Sequence, residues 1–404
     1  MTIPRRKLIA VTLLFSSSFA WFFVFYTYFD SMISPGSVGS SWHTAGILLL
    51  LATIGVSALI GSVIAEKIDR RQFLFLWLIL GILTTVPILF FRGNEFLLIW
   101  GIIGGISIGL GFPSVHAYLA NSTTPDERGR VAGIAIFVTF VFIIASFLLV
   151  RFFGEEAASK IVFLTLVLRS IGFVSFKLDA IKKAENRAKS WRVALGYQDF
   201  NRYLFAFVLF MIAAGLVSLL WNAVPATGEF NAAYQTGSIL RYIGLTVFAL
   251  ITGLLVDRIG RKKPIIIGLV MLGAAYAVVG LLLTPAAYFV NLLLSGFAWG
   301  IIMVVYLVVP GDLSFPGSEE RFYAVGWVLP LILYVGVQAV ANVVGLSLNY
   351  VGIFSTILTI VLFGAIFPLL YSVETLSESK MRERKLKEYA EKVGKLVEES
   401  QTTV

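Results

Sequence analysis

Gly253-Leu254-Leu255-Val256-Asp257-Arg258-Ile259-Gly260-Arg261-Lys262-Lys263-Pro264 is a short charged segment caught between two apolar runs, each long enough to cross a bilayer. A loop of that kind marks a membrane face. Its residues have separate physical jobs. Gly253 permits close helix packing, and Gly260 permits a positive φ in a tight turn. Arg258, Arg261, Lys262 and Lys263 belong where anionic headgroups are found, on the cytoplasmic side. Asp257 is the acidic exception. A carboxylate at the boundary accepts hydrogen bonds from the orphan N–H groups of a neighbouring helix N-terminus and pairs with an arginine, forming a latch that holds in one conformation only.

A worn copy of the segment lies 191 residues earlier, in Ser62-Val63-Ile64-Ala65-Glu66-Lys67-Ile68-Asp69-Arg70-Arg71, with Glu66 in the place of Asp257 and Arg70 in the place of Arg261. At the same offset Asn121 falls on Asp312 and Pro125 on Pro316. After a slippage of two residues Arg128 falls on Arg321 and Gly133 on Gly326. The chain therefore reads as two related halves. The pattern resembles the major facilitator superfamily, whose G-x-x-x-D-R-x-G-R-[KR] loop the second copy matches in full and the first in part. The resemblance implies an all-α membrane protein with twelve transmembrane helices arranged as two pseudo-symmetric six-helix bundles.

Composition agrees. A mean hydropathy of +0.89 with 58% hydrophobic and 14% charged residues excludes an ordinary soluble domain, in which roughly a quarter of residues are charged. The pI near 9.6 does not point to nucleic acid, because the basic residues are spread through short loops instead of forming one patch. There is no cysteine, hence no disulfide framework or thiolate metal site, and His43 and His116 are too few for a zinc site; no metal or cofactor is expected. P-loop, zinc-ligand and serine-elbow motifs are lacking, so an enzyme is not expected either.

Twelve apolar runs are long enough to span, the first from Lys7 to Phe29 and the last from Asn349 to Tyr371. Arg5-Arg6-Lys7 ahead of the first run reads as a helix start and not as a signal peptide. The expected organisation is a six-helix bundle over 1–178, a basic and partly helical cytoplasmic linker over 179–200, a second bundle over 201–372, and a solvent-exposed helical tail over 373–404. Glu378 with Arg382 and Glu383 with Lys387 make favourable i, i+4 pairs in that tail. Of 32 Lys and Arg, all but Arg92, Arg151, Lys160, Arg169 and Arg241 fall on one face, which places both termini in the cytoplasm of a multi-pass plasma-membrane protein.

Candidates for chemistry follow. Tyr28-Phe29-Asp30-Ser31-Met32-Ile33-Ser34 sets Asp30 at the end of an aromatic segment, where it either exchanges protons or sits in water at the outer interface. This stretch resembles the G-Y-D-x-x-x-I-S segment of the sugar-porter branch, whose proton-coupled members use that aspartate. Trp100 to Leu110, Pro125-Asp126-Glu127-Arg128-Gly129-Arg130 and Gln338-Ala339-Val340-Ala341-Asn342 resemble three further motifs of the branch, and Gln338 and Asn342 share a helix face. There are departures. Gly101 stands in the place of the arginine that partners the aspartate, Ile136 in that of a sugar-binding glutamine, and Ala214-Gly215-Leu216-Val217 in that of a polar cluster. Hydroxyl-rich substrates need many directional partners, so a less hydroxylated solute is as well supported as a hexose.

Arg169 and Arg241 lie inside spans, where a lone charge costs at least roughly 2.5 kcal/mol. Each binds an anionic substrate, pairs with an acid or snorkels. His116 is a second proton-coupling candidate or a packed residue, and Tyr26, Trp221, Asn222, Trp299 and Tyr306 are cavity candidates or interfacial aromatics. Gly101, Gly105 and Gly109 recur every four residues, as close helix contact requires.

The reading is a secondary transporter that works by alternating access on a small organic solute, a sugar or another metabolite, with proton coupling through Asp30. Its latch comprises Asp257, Arg258, Arg261, Asp312 and Arg321 facing Glu66, Lys67, Arg70 and Arg128. Alternatives are a drug or organic-ion exporter of the same fold, a facilitative uniporter and a non-transporting receptor. Expected partners are the solute, protons and anionic headgroups at the inner face, with the chain acting as a monomer and binding no nucleic acid.

Overall fold

The computed structural model describes residues 2–31, 41–91, 94–150, 157–181, 191–223, 228–344, 350–376 and 386. Among them are twelve helices long and apolar enough to cross a membrane: α1 (Arg5–Phe29), α2 (Ala45–Lys67), α3 (Arg70–Leu89), α4 (Phe96–Asn121), α5 (Arg128–Leu149), α6 (Ala158–Leu178), α7 (Gln198–Val217), α8 (Gly228–Ile259), α9 (Lys262–Leu281), α10 (Pro285–Leu313), α11 (Glu319–Gln338) and α12 (Val351–Leu370). Of the expected linker, a short helix, Trp191–Gly196, lies among the described residues. The tail pairs Glu378 with Arg382 and Glu383 with Lys387 lie outside them.

Local sequence explains where several helices begin. Asp69 caps α3, its carboxylate accepting from the backbone N–H of Arg71 at 3.1 Å and Gln72 at 3.3 Å. Thr284 caps α10 in the same way, accepting from Ala287 N at 3.2 Å just ahead of Pro285. Between α8 and α9 the chain turns at Gly260, whose φ of 89° is open to glycine at no steric cost.

The packing repeats. Within the first half α1 packs on α5 and α6, α2 on α4, and α3 on α4 and α6; within the second α7 packs on α11 and α12, α8 on α10, and α9 on α10 and α12. The halves meet through α5 with α8 and α2 with α11. Exchanging each helix for its counterpart six places on turns one of these interfaces into the other. The duplication read from the loops is thus present in the packing.

In lipid there is no hydrophobic gain from joining apolar helices, so close van der Waals approach holds them. At the α5–α8 crossing a Cβ on Gly133 would stand 2.6 Å from the carbonyl oxygen of Ala249 and 2.9 Å from the Gly253 Cα, and one on Gly253 would stand 2.7 Å from the carbonyl oxygen of Gly129. Gly101, Gly105 and Gly109 do the same for α4 on α2, against the carbonyl oxygens of Gly46, Leu50 and Ile54.

Candidate functional site

Three layers stack along the interface between the halves, beginning at the end that carries the two charged loops. The first is ionic. The glycine crossing carries Asp257, buried at the end of α8, beneath the first turn of α5. Its carboxylate accepts from Gly129 N at 2.8 Å, Arg130 N at 2.9 Å and Arg130 Nε at 3.1 Å, with Arg261 Nη2 4.0 Å away. Two of the orphan N–H groups of α5 thereby find an anion where the helix dipole favours one.

Beside it Asp312, its side chain fully buried, receives Arg128 Nη1 at 2.5 Å, Arg261 Nε at 2.8 Å and Thr375 Oγ1 at 2.9 Å. At the α2–α11 interface Glu66 holds Arg321 in a fork, Nη2 to Oε2 at 2.5 Å, and Arg70 is paired with Glu320 through Nε at 3.1 Å. Asn121 joins this group when its amide is oriented to match its neighbours, with the nitrogen 2.9 Å from Glu319 Oε1 and the oxygen 3.0 Å from Arg70 Nη1. Asp257, Arg128, Glu66 and Arg70 all have partners in the other half.

The loop after α12 closes over the same layer. Glu374 accepts from Arg261 N at 2.7 Å and Lys262 N at 3.2 Å and so caps α9, while Lys262 Nζ donates to the carbonyl oxygens of Leu370 and Ser372. Near the N-terminus, Thr2 donates to Glu127 through its backbone N–H at 2.5 Å and its hydroxyl at 2.7 Å. Burial pushes the Glu127 carboxyl up, but these bonds and one from Ile3 N outweigh it and hold the group below the usual carboxylate range.

Some expected members are elsewhere. Lys67 and Arg258 are exposed, and neither has an ion pair among the described residues. Sequence reasoning missed Arg130, Glu319, Glu320, Glu374 and Thr375. A signal existed for two of them, because Glu319 and Glu320 directly precede Arg321 and put acid in the first turn of α11.

The second layer is aromatic. His116, fully buried on α4, packs against the rings of Phe15, Phe112, Tyr323 and Trp327 at centroid distances of 5.1, 4.5, 5.3 and 5.6 Å. Its Nδ1 lies 2.7 Å from the carbonyl oxygen of Phe112, and its Nε2 has no hydrogen-bond partner among the described residues. Phe207 stands against Trp327 at 5.4 Å and stacks on Tyr306 at 3.8 Å. Tyr306 therefore belongs to this layer and not to the cavity wall, with its hydroxyl donating to the carbonyl oxygen of Tyr203 at 3.3 Å.

Beyond the aromatic layer lies a cavity of about 420 Å³ to which α1, α2, α4, α5, α7, α8, α10 and α11 all contribute. Phe19, Phe112, Phe207 and Trp327 form its floor and Tyr26, Trp299 and Arg241 are in its wall. Apart from the indoles of Trp299 and Trp327, its polar side chains are Tyr26, Thr27, Arg241, Tyr242 and Tyr334, and the rest of the lining is aromatic or aliphatic. Gln338 is not in the lining, and its buried Oε1 has no hydrogen-bond partner among the described residues. The side chains of Asp30, Trp221, Asn222 and Asn342 lie outside the described residues.

Arg169, on α6, is completely buried away from the cavity. Its guanidinium carbon sits 3.6 Å from the ring centroid of Trp21 and 4.3 Å from that of Trp77. None of its three nitrogens has a hydrogen-bond partner among the described residues, so what meets it there is two indoles instead of an acid, a solute or the interface.

Comparison with known proteins follows the same lines. The family model described as Major Facilitator Superfamily matches residues 8–337. No curated protein matches the chain by sequence. Among solved structures, the human organic anion transporter MFSD10 (TETRAN) is similar with a TM-score of 0.73 and 15% identity, over 90% of this chain and 99% of that one. The proton:xylose symporter XylE, bound to 6-bromo-6-deoxy-D-glucose, is similar with a TM-score of 0.64 and 15% identity, over 92% of this chain and 96% of that one. Identities this low carry the fold alone, and with both proteins at 15% identity the sugar-porter branch is not singled out.

Proposed function

Since this chain belongs to the major facilitator superfamily, we propose that it carries a small, sparsely hydroxylated organic solute across the membrane by alternating access, with the ionic layer as the gate of the cytoplasmic side. The coarse part of that statement is the family's own: a multi-pass secondary transporter with a small-molecule substrate, and not an enzyme. The finer part rests on one observation. The ion pairs that tie the two halves together lie at one end of the helix bundle, and the cavity lies on the far side of an aromatic layer from them.

That end is assigned to the cytoplasm on its excess of Lys and Arg. The conformation is then one closed on the cytoplasmic side. Opening the other way requires the pairs to separate, and a carrier can cycle only if the two states differ by a few kcal/mol. A hexose is disfavoured, because the cavity offers few of the directional partners that a ring of hydroxyls needs.

The natural chain has no cysteine, so a single reporter can be placed at will. Ser122 is buried near the ionic layer and suits a Ser122→Cys reporter. Alkylation by a membrane-impermeant maleimide from the cytoplasmic side should be slow in the parent. It should become roughly five- to thirtyfold faster with Asp257→Asn, which removes the charge at the α5 N-terminus and with it roughly 1–2 kcal/mol. Equal rates in the two backgrounds would remove the gate.

A further inference from the structure

We propose that the cavity takes a flat, largely apolar organic anion of the aromatic monocarboxylate type, with the carboxylate on Arg241 and the rings against the aromatic wall. The proposal rests on the carrier reading above and names its substrate class.

Arg241 is, among the described residues, the one charged side chain that lines the cavity. It stands sixteen residues before Asp257 on α8, which at 1.5 Å per residue is about 24 Å from the ionic layer, in the outer part of the span. Among the described residues it has no ion pair and no hydrogen bond from its side chain. Intramembrane cations persist where something answers them. This chain shows one structural answer in Arg169, which is sealed between Trp21 and Trp77 and has no contact with the cavity. Arg241 has no such sandwich among the described residues and faces open volume, so the answering group is one that arrives.

The rest of the wall states what else the ligand must be. Phe210 and Trp299 meet edge to face at 4.8 Å, and Phe23 and Tyr242 at 6.4 Å, which leaves ring faces and edges to receive another ring. A sugar would leave its hydroxyls unmatched here, and an organic cation would meet a like charge in a low-dielectric site. A cavity of about 420 Å³ is at the small end of the range for organic ligands, which suits one or two fused rings. A guanidinium presents two parallel donors to a carboxylate, and the phenols of Tyr242 and Tyr334 in the same wall provide further donors.

The test uses purified full-length protein with three ligands of one shape, 1-naphthoate, 1-naphthamide and 1-naphthylmethylammonium, read by thermal shift and by titration calorimetry. The expected result is that naphthoate raises the melting temperature and gives a binding isotherm, whereas the amide and the ammonium do neither. Arg241→Gln should weaken naphthoate about tenfold or more, and Arg241→Lys, which keeps the charge without the fork, less than that. Equal effects of the three ligands, no binding by any of them, or unchanged naphthoate affinity in Arg241→Gln would each overturn the proposal. The comparison of carboxylate with amide in the unaltered protein stands even where a variant does not fold. The Ser122→Cys labelling needs no ligand, so the anion proposal and the gate fail separately.

Discussion

Arg169 is the side chain in this molecule with the most to explain at the scale of a single residue. Moving an ion of that size into the interior costs several kcal/mol after relaxation. The two indoles return about 2 kcal/mol each when desolvated. No nitrogen of the guanidinium is hydrogen-bonded among the described residues, so the indoles at best offset the cost of burial and leave no net stabilisation. Arg169→Met is therefore expected to leave the melting temperature unchanged or to raise it by a few degrees. A loss equivalent to about 3 kcal/mol or more, which is what stranding a buried ion-pair partner costs, would reveal an acid that the geometry does not show. Asp312 is the opposite case. It answers two buried guanidiniums and a hydroxyl at once, and its removal strands two charges instead of freeing one. Trp21 and Trp77 reach Arg169 from two other helices, and no local pattern in the sequence announces that.

At the scale of elements, the crossing of α5 and α8 does two things with one geometry: it lets two backbones touch, and it sets Asp257 under the α5 N-terminus. A methyl group on Gly133 would press on main-chain atoms of α8, which cannot swing aside as a side chain can. Gly133→Ala should cost roughly 1–3 kcal/mol as overpacking, read as a lower melting temperature. Gly336 on α11 has nothing within 4 Å of where a Cβ would stand, so Gly336→Ala should gain up to about 1 kcal/mol from helix propensity. If the two variants melt alike, close approach is not what the α5–α8 contact depends on. The helices themselves were legible from runs of about 20 apolar residues, and so was the positive φ at Gly260. The cap of α9 was not, since Glu374 comes from 113 residues further along the chain.

At the scale of the whole molecule, closure is a property of both halves together. Glu66 and Arg321, partners across the interface, offer the cleanest test of it. Glu66→Arg alone sets two cations against each other in a mostly buried site, and Arg321→Glu alone sets two anions. Each single change should speed labelling of the Ser122→Cys reporter from the cytoplasmic side. The double exchange should recover most of the parent's slow rate, through a coupling of roughly 0.5–3 kcal/mol. Strictly additive effects would mean that the halves do not close on this pair. At the 191-residue offset the first half carries Asn121 where the second carries the acid Asp312. In the fold, Glu320 supplies the missing carboxylate to Arg70 from the other half, and Asn121 bridges Arg70 to Glu319. The loss is made good by a residue that an alignment of the two halves does not place there.

The sequence by itself determined that the chain lives in a membrane, how many times it can cross, that it is duplicated, and which loops lie on one face. These are consequences of apolar run length, repeat offset and charge distribution, all of which act locally along the chain. Only the tertiary structure decided which acid meets which base, that Tyr306 belongs to the closed aromatic layer while Tyr26, Trp299 and Arg241 reach the cavity, and that one intramembrane arginine is sealed while the other faces open volume. The reason is geometric. Helices that are apolar all round carry no mark of which side faces a neighbour, and that choice is made when backbones approach at their glycines and buried charges find partners many residues away.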